Sequence, residues 1–179
     1  MPEDRDIKIA SDRPSADIKR QKAEDTATEN KSYTAMGKRL GVEVAQKFVD
    51  ALKDDALGGE TDNGELLLQR QILLSFAAIS GFEQFCKDSG CISAAKRAFL
   101  EYIKKNHPEL YSGATDNGAL SFYYLAFRRG TDNLRRIGQT FAMLCSHDGD
   151  PVYHELGEAL YCWFTSVVKK TEKAIFENK

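Results

Sequence analysis

Long apolar runs are missing from this 179-residue chain. A helix that spans a bilayer needs ~20 consecutive apolar residues. The longest candidates are interrupted by Arg70, Glu83 and Glu158, so no membrane span is expected. An excess of charge of one sign is missing as well. The formal net charge of −2 supplies no global field for nucleic acid or an anionic membrane, and binding to either would require a local basic patch. Cysteine is sparse: Cys86, Cys91, Cys145 and Cys162. The first pair does not have the Cys-x-x-Cys spacing of a zinc or redox site. All four have apolar neighbours, which marks them as small buried hydrophobes. Absent too are the Gly-x-x-x-x-Gly-Lys phosphate loop, the Gly-x-Ser-x-Gly elbow and the dinucleotide fingerprint. The opening "MPEDRDIKIASDR" carries acids where a secretion signal has an apolar core. The expected compartment is the cytosol, where thiols stay reduced.

What the chain does contain is helical periodicity. Its apolar fraction, 42%, is ordinary for a globular protein. A domain of about 150 residues buries roughly 70% of the surface its unfolded chain exposes, so no metal, disulfide or cofactor is required for folding. Residues 1–31 alternate acids and bases with few large aliphatics, too few to offset the entropy of ordering them. They are expected to form a mobile charged tail, with a transient helix after Ser15. The helical domain is then 32–179.

Tyr33, Met36, Leu40, Val44, Phe48 and Leu52 recur at three and four, the spacing of one helix face, with Ser32 placed to cap it. Gly37, Gly41 and Ala45 also recur at four along this helix. Each helical glycine costs about 1 kcal/mol relative to alanine. The compensation expected is close approach of another helix, from this chain or from a second copy. From Asp62 to Lys87 apolar residues cover nearly the whole circumference, the pattern of a helix buried on all sides. Further helices are predicted from Ile92, over Leu120–Arg129, over Leu134–Ser146 and from Pro151. Gly90 reads as a helix stop before Ile92. Pro108–Ser112 reads as a turn or a single helical turn. The last helix is predicted to bury Leu156, Leu160, Trp163, Phe164, Val167 and Val168. The fold class is therefore all-α, a single bundle of about six helices around a central apolar one.

The triplet Thr-Asp-Asn occurs at Thr61–Asn63, Thr115–Asn117 and Thr131–Asn133, each time just before a helix-period segment. Its hydroxyl and carboxylate suit the unpaired N–H groups of a first helical turn, so it reads as helix punctuation.

Two polar clusters are candidates for chemistry. "CSHDGDPVYHE" gathers His147, Asp148, Asp150 and His154, residue types that hold zinc, iron or manganese. The competing reading is a loop in which Asp150 caps the helix opened by Pro151. "YYLAFRRGTDNLRRIG" gathers Arg128, Arg129, Arg135 and Arg136 beside tyrosines and a helix start, a combination that grips phosphate. Its competing reading is a solvated, salt-bridged surface. Neither cluster forms a coherent catalytic set. The leading expectation is a cytosolic helical interaction module, non-catalytic, with a protein partner or a homodimer through a glycine-lined or aromatic helix face. The alternatives are a metal-dependent enzyme at the histidine cluster and a phosphate or nucleic-acid binder at the arginines.

Overall fold

The computed structural model describes residues 16–53, 64–128 and 132–177, with side chains from residue 31 onward. Among them are seven helices and no strand: α1 (Ala16–Lys53), α2 (Gly64–Phe85), α3 (Ser89–Asn106), α4 (Pro108–Ala114), α5 (Asn117–Arg128), α6 (Asn133–Leu144) and α7 (Pro151–Glu177). None of these is long and apolar enough to cross a membrane. The chain divides into two units, Met1–Ser32 and Tyr33–Lys179. In the first, residues 16–32 are helical, and the expected tail over residues 1–15 lies outside the described residues. The second unit is an all-α bundle.

In that unit α2 is the axis. Every residue from Arg70 to Phe82 is buried, and α3, α4, α5, α6 and α7 all pack against it. The Phe76 ring lies at the centre of an aromatic cluster. It stacks on Tyr123 at 5.3 Å, meets Tyr124 edge-on at 5.2 Å and stacks on Tyr161 at 5.9 Å. A second cluster joins Phe48 of α1 to Phe99 of α3 and Phe164 of α7. Burying one such ring contributes about 1.5–3 kcal/mol. Two polar groups of α2 bond across helices: Ser75 Oγ donates to the Ala114 carbonyl at 2.9 Å, and Gln84 donates to the Tyr161 hydroxyl at 3.2 Å.

The two closest crossings use helices stripped of side chains. A Cβ on Gly37 would overlap the Cys91 carbonyl oxygen, and one on Gly41 the Ala95 carbonyl oxygen and, at 2.9 Å, the Ala98 methyl. Four residues along α1 advance four along α3, so the two helices run side by side in the same direction. The glycine face of α1 is thus covered from within the chain. At the α6–α7 crossing a Cβ on Gly138 would lie 2.5 Å from the His154 carbonyl, and one on Gly157 2.6 Å from Phe141 Cβ.

Several boundaries differ from the sequence reading. Helix α1 runs unbroken through Ser32, which is therefore not a cap. Gly90 lies in the first turn of α3, because Asp88 caps that turn by accepting the Cys91 N–H at 2.9 Å. Pro108–Ala114 is a full short helix. At the second Thr-Asp-Asn, Thr115 Oγ1 closes α4 on the Tyr111 carbonyl and Asp116 accepts the Ala119 N–H at 3.0 Å, opening α5. At the third, Asp132 is the N-cap residue of α6 but makes no side-chain bond. Thr61–Asn63 and Thr131 lie outside the described residues. Helix α7 buries Gly157, Leu160, Tyr161, Phe164 and Val168, which turns Trp163 outward to 41% exposure. Cys86, Cys91 and Cys145 are buried as expected, whereas Cys162 is exposed.

Two stability outcomes follow from this packing. Gly41→Ala gains helix propensity but forces a methyl into the α3 backbone, and overpacking of this kind costs about 1–3 kcal/mol. A matching drop in urea midpoint is expected, against no loss for Gly64→Ala, whose Cβ would meet nothing within 4 Å. The second concerns Tyr123, whose hydroxyl is buried without a hydrogen-bond partner. Burial holds its phenol well above the ordinary value. The folded state therefore keeps this proton more tightly than the unfolded chain, and stability falls as pH rises past about 10. Tyr123→Phe should raise stability by about 1 kcal/mol and flatten the alkaline limb of a stability–pH curve.

Candidate functional site

The α6–α7 junction is the most heavily decorated connection in the fold, and backbone geometry accounts for most of it. Cys145 ends α6 by donating its N–H to the Phe141 carbonyl, and His147 N–H bonds the Ala142 carbonyl at 2.8 Å. The chain then turns through Ser146 and Gly149, both at positive φ (60° and 81°). Gly149 suits that region because it lacks a Cβ. Asp150 N–H donates to the His147 carbonyl at 3.0 Å, and its carboxylate accepts the Val152 N–H at 2.9 Å. Pro151 begins α7, where a missing N–H is no loss.

The two histidines of this segment part company. The His147 ring stacks on Tyr153, centroids 3.8 Å apart and planes 10° from parallel. It lines a recess of about 100 Å3 beside Glu65 and Ser146. His154, one turn into α7, lines a different and much larger groove together with Asp148. Among the described residues no three His, Cys, Asp or Glu side chains gather as metal ligands.

That larger groove, about 690 Å3, lies between α5 and α6 and is closed at one end by the α6–α7 turn. One wall is Phe122 and Leu125 of α5. The other is Arg136, Gln139, Thr140 and Met143 of α6, at the three- and four-residue spacing of one helix face. Phe122, Leu125 and Met143 are 48%, 49% and 41% exposed, unusually open for side chains of their size. His154 Nε2 is buried at this site without a hydrogen-bond partner. The groove therefore combines an apolar lining with a cation at Arg136, a carboxylate at Asp148 and an unused ring nitrogen.

Of the arginine cluster, only Arg136 lines this groove. Arg135 is exposed on the first turn of α6, and Arg128 is exposed at the end of α5. Arg128 lies near enough to Tyr124 to counter the rise that burial and Glu83 impose on its phenol. Arg129 lies outside the described residues.

Phe122, Leu125 and Met143 were not singled out by sequence reasoning. The signal for them was an excess. In α5 the stripe Leu120, Tyr123, Ala126 is the buried face, and Phe122 and Leu125 are large apolar residues left over on the opposite side. No family model, curated protein or solved structure matches the chain.

The Asp150 cap can be tested directly. Asp150→Ala should cost about 1 kcal/mol of stability by losing the side-chain acceptor, and Asp150→Asn should retain most of it, as read from thermal unfolding.

Proposed function

We propose that this chain is a cytosolic helical interaction module that works by binding a protein partner in the α5–α6 groove rather than by catalysis. The observation that carries the reading is the clustering of Phe122, Leu125 and Met143, each roughly half exposed, around one groove. Contiguous exposed apolar surface rimmed by polar groups marks interaction sites. A groove walled by two helices suits an apolar helix face laid between them. Arg136, Gln139 and Thr140 along one rim supply the polar contacts that fix orientation at the edge of such an interface. Of the exposed large apolar side chains on α5 and α6, three line this groove and Leu134 stands apart from it. Of the two faces expected for a homodimer, the glycine face of α1 is already occupied by α3, which leaves the aromatic face of α5 for a second copy.

Photo-crosslinking tests the reading. With benzoylphenylalanine placed at Phe122 in the full-length chain expressed in its own cells, a discrete adduct should form on illumination. The same probe at Lys170, exposed on α7, should give none. An adduct of twice the chain mass identifies a second copy, and any other discrete mass a different protein. Leu125→Glu should abolish it, with helix content unchanged by circular dichroism. Equal labelling at both positions, or none at Phe122, would remove the proposal.

A further inference from the structure

A second groove lies on the side of the bundle where α1 and α3 run side by side. It encloses about 640 Å3 and follows α3 from Gly90 to Lys105. At ~1.5 Å per residue that is a track about 22 Å long. Its floor is small and apolar: Val42 of α1 with Ala94 and Ala98 of α3, and Tyr102 toward one end. Along its rims stand Lys38, Arg97 and Lys105, against the single carboxylate of Glu101.

Cations outnumber carboxylates on those rims three to one. On the same two helices Arg39 pairs with Glu43 at 2.8 Å and Lys96 with Glu83 at 2.5 Å. Lys38, Arg97 and Lys105 make no ion pair among the described residues. Arg97 and Lys105 are two helical turns apart on α3, about 12 Å. A compact anionic headgroup can meet one of them and not both, whereas a helix bearing acids on successive turns meets each in register. The small floor residues leave room for such a helix to lie close.

We propose that the α1–α3 groove docks an acidic amphipathic helix of a partner protein, its apolar face on Val42, Ala94 and Ala98 and its carboxylates against Lys38, Arg97 and Lys105. The site is separate from the α5–α6 groove and does not depend on it. Complementary charge sets partner choice and association rate, so this groove selects against basic and neutral helices of equal hydrophobicity.

The test uses the full-length chain and a fluorescein-labelled synthetic peptide with a leucine stripe flanked by glutamates, followed by fluorescence anisotropy. Two control peptides carry lysine in place of every glutamate, or a central proline that breaks the helix. The acidic peptide should bind saturably and more weakly as salt rises, and both controls should fail. Arg97→Glu with Lys105→Glu should weaken binding by about tenfold or more. Ser93→Trp, which places a large ring in the groove from an exposed position, should block it. Leu125→Glu should leave affinity unchanged, so this proposal and the α5–α6 reading fail independently. Circular dichroism confirms that each variant is folded. Equal binding of acidic and basic peptides, or unchanged affinity in the double charge reversal, would overturn the proposal. So would no peptide binding at all, or binding of laurate without the peptide, which would make the groove a site for fatty carboxylates.

Discussion

Backbone-to-backbone approach of helices is the constraint on which the rest of this structure depends. At Gly37 and Gly41 the α3 main chain occupies the space where side chains of α1 would stand; at the α6–α7 crossing Gly138 meets the His154 carbonyl and Gly157 the Phe141 side chain. Each helical glycine gives up about 1 kcal/mol of intrinsic helix stability. In return the helices come close enough for long rows of van der Waals contact, and cores packed to crystal density tolerate little deviation. The apposition of α1 and α3 brings Phe48 to Phe99 at 5.5 Å. The α6–α7 crossing sets the wall and the closed end of the α5–α6 groove. The α1–α3 and α5–α6 grooves are by-products of where helices meet.

The parts of the fold legible in the sequence are those where burial is nearly complete. Residues 70–82 read as apolar on all sides and are buried on all sides, and Leu40, Val44 and Phe48 stand where their spacing put them. The glycine repeat in α1 announced a close neighbour, although periodicity alone left open whether this chain or another supplies it. Legibility failed where a helix has more apolar residues than its buried stripe can use. Trp163 was assigned inward with Phe164, but Gly157 must face Phe141. That requirement sets the rotation of α7 and carries Trp163 outside. Ser32 has the chemistry of a cap, yet helix continues to either side of it.

The polar clusters illustrate the same limit at the level of the site. His147, Asp148, Asp150 and His154 are close in sequence, but a tight turn with two residues at positive φ sends the histidines into different recesses. Asp150 is occupied with the first turn of α7. Proximity along the chain does not survive a turn of this kind. Arg136, Asp148 and His154 do share a groove, joined there by Met143, seven residues on from Arg136 along α6, and by Phe122 and Leu125, which sequence spacing relates to none of them. Much of the 147–154 run is taken up in making the turn, whereas the groove is made where two helices meet.

The shared direction of α1 and α3 bears on the order of assembly. Helices α6 and α7 are joined by one short turn and can zip together as soon as both exist, a local closure of little entropic cost. Helix α1 has no such neighbour. Its glycine face waits for α3, which lies beyond the whole of α2, so during synthesis that face stays unpaired until α3 has been made. Until Ala95 and Ala98 arrive, the smooth flank of α1 is open to any other helix in reach. A nascent chain of this kind is open to wrong pairing along α1 until α3 has been made.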